Sequence, residues 1–171
     1  MHQNQLSANN KDTERPSVYL ETTIPSYLAA RQSRDIVVAA HQQITREWWT
    51  AERERFRLFV SEAVISECSS GDTEAAARRL SYIEGLPVLA ITDSVFKLAK
   101  LYLATMLIPL RSEVDALHLA CAVIHEMDYL LTWNCKHLAH GEIRRALQKI
   151  NCEKGLAVPT IVTPEELMRR E

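Results

Sequence analysis

The stretch Val18-Tyr19-Leu20-Glu21-Thr22-Thr23-Ile24-Pro25 decides the fold, because it passes from a strand pattern directly into a helix start. Its first three residues form an unbroken apolar run. A proline in the first helical turn after a threonine is typical of a helix N-terminus, with Thr22 or Thr23 as the cap. The same change recurs along the chain. Four further short apolar runs predict strands, over 57–60, 87–91, 129–132 and 160–162.

Longer segments with apolar residues at helical spacing lie between these runs. The predicted helices cover 35–53, 73–84, 92–105, 113–127 and 141–151, with another after Ser61 and a short one at 163–167, which begins with a capping box. Short strands without polar alternation are typical of a parallel sheet whose two faces are covered by helices. The pattern predicts one α/β domain over 17–171 with about five strands, preceded by a loose polar tail over 1–16.

Composition excludes several classes of protein. The 171 residues include 20 Lys and Arg against 22 Asp and Glu, which excludes a strongly basic nucleic-acid-binding tail. Four glycines provide no Gly-rich phosphate loop. Cys68 and Cys121 lie in apolar helical stretches, which predicts buried thiols in a reducing compartment. Without a signal-peptide pattern or an apolar run near the roughly 20 residues that span a bilayer, we expect a cytoplasmic protein with no membrane partner.

Four polar residues fall at or near the predicted carboxyl ends of strands, where open parallel sheets form their active crevice. Glu21 directly follows the first strand, and Asn134 lies just beyond the fourth. Glu67 lies on the helix after the second strand, and Asp115 opens the buried helix before the fourth. Carboxylates that meet in one crevice repel each other unless a cation such as Mg²⁺ or Mn²⁺ neutralises them. These residues are candidates for metal-assisted attack of water on a phosphodiester.

Each of these residues also has a purely structural interpretation. Glu21 and Asn134 fit solvated turn residues, and Glu67 fits a boundary carboxylate on an amphipathic helix. Asp115 fits a capping box with Ser112, in which the third helical residue bonds back to the cap. The pattern alone leaves both interpretations open.

The histidines and tryptophans favour structural roles. His118 lies on an apolar helix, which indicates a buried histidine with satisfied hydrogen bonds. His137 and His140 have no Cys or carboxylate partner at metal spacing, so a zinc site is not expected. Trp48 and Trp49 are expected to pack on the core or on a partner, with stacking on RNA bases as the alternative.

The motifs of the chain resemble those of the PIN domain family, in particular the VapC-like toxin ribonucleases of toxin–antitoxin pairs. The resemblance covers roughly residues 17–168 and rests on the order and spacing of several segments. The segments that carry it are 18–23, 64–68, 115–120, 129–134 and 159–167.

The resemblance implies a three-layer α/β/α sandwich with a central, mainly parallel sheet and an acidic pocket for one or two Mg²⁺ or Mn²⁺ ions. Carried over by position, Glu21, Glu67 and Asp115 are the implied metal ligands, and Asn134 stands at the fourth acidic position. The family commonly has Asp at the first and fourth positions. Glu21 is one methylene longer than Asp, and Asn134 removes a negative charge, so both changes are expected to weaken metal binding.

Residues and resemblance together predict a Mg²⁺- or Mn²⁺-dependent endoribonuclease acting on single-stranded or looped RNA. A small antitoxin protein and a homodimer are the implied partners. The alternative is a catalytically weak or inactive PIN-like module that binds RNA or a protein partner. An unrelated α/β small-molecule enzyme is disfavoured, because the turn after the first strand has neither a glycine nor a second carboxylate.

Overall fold

The computed structural model describes residues 15–105 and 112–169. Its strands are β1 (Ser17–Leu20), β2 (Arg57–Ser61), β3 (Val88–Leu89), β4 (Tyr129–Leu131) and β5 (Thr160–Val162). Its helices are α1 (Thr23–Ala29), α2 (Ile36–Ala51), α3 (Glu62–Cys68), α4 (Thr73–Ile83), α5 (Asp93–Thr105), α6 (Glu113–Ile124) and α7 (Gly141–Lys154), with single 3₁₀ turns at Arg53–Arg55 and Glu165–Leu167. The predicted order of elements is confirmed, although β3 is shorter than predicted. The predicted tail over 1–16 lies outside the described residues except for its last two.

All five strands pair in parallel, in the order β3-β2-β1-β4-β5. In the central strand β1, Val18 lies opposite Leu58 of β2, and Tyr19 lies opposite Leu130 of β4. The chain builds outward from β1 to β2 and β3, and then returns to the other side of β1 for β4 and β5. This reversal creates a topological switch point between β1 and β4. Open α/β sheets bind their ligands at such a point, beyond the carboxyl ends of the strands.

Helices cover both faces of the sheet, so the three-layer α/β/α sandwich is confirmed. Every residue of β1 is buried, as expected for a strand covered on both sides. Helix α1 packs against α2 and α4, and α5 packs against α6. Cys68 and Cys121 are fully buried free thiols, as predicted. Within the described residues, none of the helices combines the length and apolar composition needed to cross a membrane.

Polar caps begin several helices. Ser61 accepts a backbone hydrogen bond at the start of α3, and Thr163 and Glu166 form the predicted capping box at the last 3₁₀ turn. Thr22 occupies the N-cap position of α1, as predicted, but it has helical backbone angles and makes no side-chain cap bond. Both threonine hydroxyls donate to carboxylates instead, and these carboxylates belong to the candidate site.

Candidate active site

Glu21 lies at the switch point, directly after β1, and is only 5% exposed. Its Oε2 accepts hydrogen bonds from the Thr23 backbone N–H at 3.1 Å, the Thr23 hydroxyl at 2.5 Å and the Thr132 hydroxyl at 2.7 Å. The carboxylate therefore satisfies the N-terminus of α1 in place of a threonine cap. No described residue donates to Oε1, so one oxygen of an oriented, buried carboxylate is available to a ligand. The interpretation of Glu21 as a solvated turn residue is wrong.

A chain of polar groups links Glu21 to Asp115 through the residues that follow β4. The Thr132 hydroxyl that donates to Glu21 also accepts a hydrogen bond from the Asn134 backbone N–H at 2.9 Å. Asn134 Nδ2 donates to Asp115 Oδ1 at 2.9 Å, and Asn134 Oδ1 accepts from the His137 backbone N–H at 3.1 Å. Asn134 therefore holds the Asp115 carboxylate in place rather than adding a charge of its own.

Asp115 lies in the first turn of α6, where half of the proposed capping box is present: the Asp115 carboxylate hydrogen-bonds to the Ser112 side chain, which acts to lower its pKa, but Ser112 does not accept from the helix N–H groups. Ser112 occupies the cap position with φ −105° and ψ 39° and makes no side-chain cap hydrogen bond. Those angles lie outside the extended conformation that aims a cap side chain at the helix N–H groups. Burial raises the pKa of Asp115, His118 opposes this effect, and the negative charge of Glu21 adds to it. The fold therefore disfavours charge on Asp115, which a cation would relieve.

Glu67, on α3, is the third carboxylate of the region, and its environment differs. Its Oε2 accepts hydrogen bonds from the Thr22 hydroxyl at 2.5 Å and from His118 Nε2 at 2.9 Å. Burial acts to raise the pKa of Glu67, but the hydrogen bonds from His118 and Thr22 outweigh it and hold the pKa below its ordinary value. Glu67 is thus an ionised carboxylate that two protein donors already stabilise.

A buried relay of hydroxyl and imidazole groups orients Glu67. His118 is 1% exposed, and its Nδ1 bonds to the Tyr19 hydroxyl at 2.7 Å, which bonds in turn to the Ser61 hydroxyl at 2.7 Å. Because an ionised Glu67 can only accept, Nε2 of His118 carries the proton of their hydrogen bond. The prediction of a buried histidine with satisfied hydrogen bonds is confirmed, and the structure adds its contact with Glu67.

The donor set fits a hard divalent cation, although the structure contains no ready-made cluster. Within residues 15–105 and 112–169, no group of three or more His, Cys, Asp or Glu side chains is arranged to hold a metal ion. Glu67 is turned toward His118, whereas Glu21 and Asp115 lie close enough for one charge to raise the pKa of the other. Mg²⁺ typically uses only one or two carboxylates and keeps several waters, so this pair suits Mg²⁺ or Mn²⁺. The ligand set Glu21, Glu67 and Asp115 stays a prediction.

Sequence reasoning missed the donors that hold these carboxylates. Thr132 ends the apolar run of β4 just as Glu21 ends that of β1, and this matching position was the available signal. Thr22 and Thr23 were interpreted as helix caps, because hydroxyl residues before a first-turn proline usually take that role. The Thr23 hydroxyl donates to Glu21, two residues before it, whereas the partner of Thr22 is Glu67 on α3, which a local pattern does not contain.

Comparison with known proteins supports the fold. No protein-family model and no curated protein sequence matches this chain. A solved structure of VapC20 from Mycobacterium tuberculosis, described as a Sarcin-Ricin loop cleaving toxin, is similar with a TM-score of 0.57 and 16% identity, over 74% of this chain and 96% of that chain. VapBC2 from Rickettsia felis, bound to a DNA fragment from its promoter, is similar with a TM-score of 0.54 and 14% identity, over 85% of this chain and 97% of that chain. The chain therefore has a VapC-like PIN-domain fold, as the motifs predicted.

Proposed function

We propose that this chain, which has the VapC-like PIN-domain fold, is a metal-dependent endoribonuclease and the toxin of a toxin–antitoxin pair. The observation that carries the proposal is the pair of carboxylates, Glu21 and Asp115, at the switch point between β1 and β4. Among the described residues, no cationic side chain makes a hydrogen bond to either carboxylate that would balance their repulsion. Carboxylates placed in this way bind divalent cations, and the fold likeness to a toxin described as cleaving the Sarcin-Ricin loop supports nuclease chemistry.

The residues of the site have separate roles in this proposal. Asp115 and Glu21 hold the metal, and Glu67 completes the site directly or through water. A bound Mg²⁺ or Mn²⁺ supplies positive charge to the phosphate oxygens and activates water for attack on phosphorus. Asn134 fixes Asp115 through its amide, and His118 fixes Glu67 through Nε2. These contacts keep the carboxylates oriented before substrate arrives, so little reorganisation is needed during the reaction.

The test is cleavage of an unstructured RNA by the purified protein with Mn²⁺, with EDTA, and with the variant Asp115→Asn. We expect EDTA to stop cleavage and the variant to lose about 100-fold or more of the rate. The variant should melt at the same or a higher temperature, because it removes a charge that the fold disfavours. Asp128→Asn changes an aspartate outside the site and should leave cleavage intact. Metal-dependent cleavage that survives Asp115→Asn would contradict the proposed site.

A second candidate function is a PIN-like module that binds RNA or a protein without cleaving. Two observations favour it: no three-acid cluster is preformed within the described residues, and Asn134 contributes an amide where the family commonly has an acid. This module would bind RNA or its partner without turnover in any divalent metal. Calorimetry would then detect no binding of Mn²⁺ to the wild type.

The proposed antitoxin would need an apolar surface on this chain. Ile36 and Val37, at the start of α2, are 84% and 59% exposed and adjacent, which is unusual for β-branched aliphatic residues. Expression of the chain should arrest growth, and coexpression with its cognate small protein should relieve the arrest. Replacing both residues with serine should weaken that relief. The homodimer stays a prediction.

A further inference from the structure

Three aromatic side chains, Tyr27, His41 and Trp133, form a layered group that we call the aromatic platform. The His41 ring lies against the Trp133 ring with centroids 3.9 Å apart and planes 15° apart. The Tyr27 ring is 6.2 Å from His41, at an angle of 25°, and 6.5 Å from Trp133. Rings on opposite faces of one indole would be at least about 7 Å apart. Tyr27 therefore lies beside the stacked pair of His41 and Trp133, within contact distance of both rings.

The aromatic platform adjoins the candidate active site. Trp133 is the residue between Thr132 and Asn134, and its backbone N–H donates to the Thr23 hydroxyl at 2.9 Å. Its indole N–H donates to Thr45 at 2.7 Å, which fixes the ring at both ends. Burial raises the pKa of Tyr27, and Cys135, Glu21 and Asp35 raise it further. The same Thr23 hydroxyl that accepts from Trp133 donates to Glu21, so two hydrogen bonds connect the platform to the first carboxylate of the site.

The exposure of these rings distinguishes the platform from the rest of the core. Trp133 is 8% exposed, whereas Tyr27 and His41 are only partly buried, so these two side chains reach solvent. Trp48 is fully buried, and Trp49 is covered by Arg53 at 5.0 Å and by the edge of Tyr82 at 5.9 Å. Phe96 on α5 is 47% exposed, but among the described residues only the platform combines solvent-accessible rings with a residue, Trp133, that lies between the site residues Thr132 and Asn134.

We propose that the aromatic platform is a base-stacking subsite, in which Tyr27 and His41 receive one unpaired nucleobase of an RNA strand whose phosphate lies at Glu21 and Asp115. This inference rests on the proposed function for the identity of the strand. Every base has a flat face that stacks on aromatic rings, and only a base outside a duplex can expose that face.

Charge at the adjoining loop fits the same ligand. The segment between α1 and α2 carries Arg31 and Arg34, both exposed, and it begins directly after the helix that bears Tyr27. The buried Gln42 holds this segment, since it accepts from the Ser33 N–H at 2.9 Å and donates to the Arg31 carbonyl at 3.1 Å. A strand stacked on the platform would therefore pass two cationic side chains on a tethered loop, where phosphates bind.

The test is fluorescence anisotropy of a short labelled single-stranded RNA in EDTA, so that binding is measured without cleavage. We expect Tyr27→Ala and His41→Ala each to raise Kd about fivefold or more, whereas Tyr27→Phe and His41→Phe keep the wild-type Kd because they keep a ring. Oligonucleotides with one abasic position, moved along the strand, should lose affinity at a single position. Tyr27→Ala should no longer distinguish that position.

Matched controls are Tyr82→Ala and His125→Ala, which remove a partly buried tyrosine and histidine elsewhere and should leave Kd unchanged. Thermal melting confirms that each variant is folded. If the alanine variants bind as tightly as wild type, or if the phenylalanine variants bind as weakly as the alanine variants, the stacking subsite is wrong while the nuclease proposal stands. Binding that depends on the rings without any metal-dependent cleavage would uphold the subsite and overturn the nuclease. No RNA binding by wild type in EDTA would overturn the subsite, because stacking needs no metal, and the nuclease proposal would then be decided by the cleavage assay with Mn²⁺.

Discussion

Two aspartates near opposite ends of the β1–β4 strand pair have opposite electrostatic environments. Asp128, just before β4, accepts hydrogen bonds from the Ser17 N–H and the Ser17 hydroxyl, both at 2.7 Å. These two bonds lower its pKa, against burial and with help from Arg57. Asp115, at the carboxyl ends, has its pKa raised by burial and by Glu21. The contacts of Asp128 favour its charged form, whereas at Asp115 burial and Glu21 outweigh the opposing contributions of His118, His137 and Ser112.

The amino ends of the sheet also carry the more conspicuous cavity. It has a volume of about 560 Å³ and contains cations and aromatic rings, including Arg53, Arg57, Trp49 and Tyr82. Its cations already have protein partners, since Arg53 pairs with Glu54 at 3.2 Å and Arg57 Nε donates to a backbone carbonyl at 3.0 Å. This cavity lies at the amino ends of the sheet, whereas the carboxylates whose charge no protein cation balances lie at the carboxyl ends. We expect the catalytic site at the carboxyl ends, because groups with unbalanced charge gain free energy when they bind a ligand.

The largest expected effect is on catalysis by Glu21→Gln. The amide oxygen of glutamine can still accept hydrogen bonds from Thr23 and Thr132, so the turn after β1 should keep its geometry. The charge is lost, and a cation at Asp115 would then lack its second carboxylate. We expect cleavage with Mn²⁺ to fall about 100- to 1,000-fold, measured as an initial rate on RNA.

The matched control is Glu54→Gln at the amino ends, where the side chain is 80% exposed. It should cleave RNA at the wild-type rate. If Glu21→Gln and Glu54→Gln cleave RNA at equal rates, the carboxyl ends of the sheet do not hold the catalytic site.

A large effect on stability is expected for His118→Ala. The substitution removes a side chain that is 1% exposed, together with one of the two hydrogen bonds of the Tyr19 hydroxyl and one of the two donors to Glu67. The cavity and the two lost hydrogen bonds together should lower the free energy of unfolding by about 2–4 kcal/mol. Chemical denaturation measures this loss. His125→Ala, which removes one bond to the Ala90 carbonyl at 3.0 Å, should cost less than about 1 kcal/mol.

A smaller and pH-dependent effect is expected for Asp128→Asn. Because the folded pKa of Asp128 is lowered, its stabilisation is present above the unfolded pKa of about 3.9 and is lost as the pH falls through the folded value. The variant should lose no more than about 1 kcal/mol at neutral pH, since the residue is exposed to solvent. Denaturation curves of the two proteins should converge in acid. A gap that widens as the pH falls would contradict the assignment.

The sequence predicted the fold well because strands and helices are decided locally. The apolar run at 18–20 and the buried helix that starts at Glu113 needed only their own residues, and both are confirmed. Boundaries that depend on pairing were less predictable. In the run at 87–91, Val88 and Leu89 form the strand beside β2, whereas the N–H of Ile91 donates to the Glu62 side chain at 2.9 Å and not to a neighbouring strand.

The candidate site was predictable as a set of acids but not as a network. Glu21 and Asp115 stand out because they flank buried elements. The Thr132 hydroxyl bonds to Glu21, 111 residues away in the chain, and the His118 imidazole bonds to Glu67, 51 residues away. No local motif encodes such distant contacts. The proximity of His41 and Trp133 is also a consequence of how α2 packs against the end of β4.

The smallest expected effect is on RNA binding when arginines at the amino ends of the sheet are replaced. Arg53→Gln combined with Arg57→Gln should change the Kd for single-stranded RNA less than about twofold, because both guanidinium groups already have protein partners. The dependence of log Kd on log salt should keep its slope. In contrast, Arg31→Gln combined with Arg34→Gln should reduce that slope by up to about 0.7 for each phosphate that these two arginines neutralise. If instead the first pair reduces the slope and the second does not, RNA tracks along the cavity at the amino ends, and unbalanced charge does not identify the binding end of this sheet.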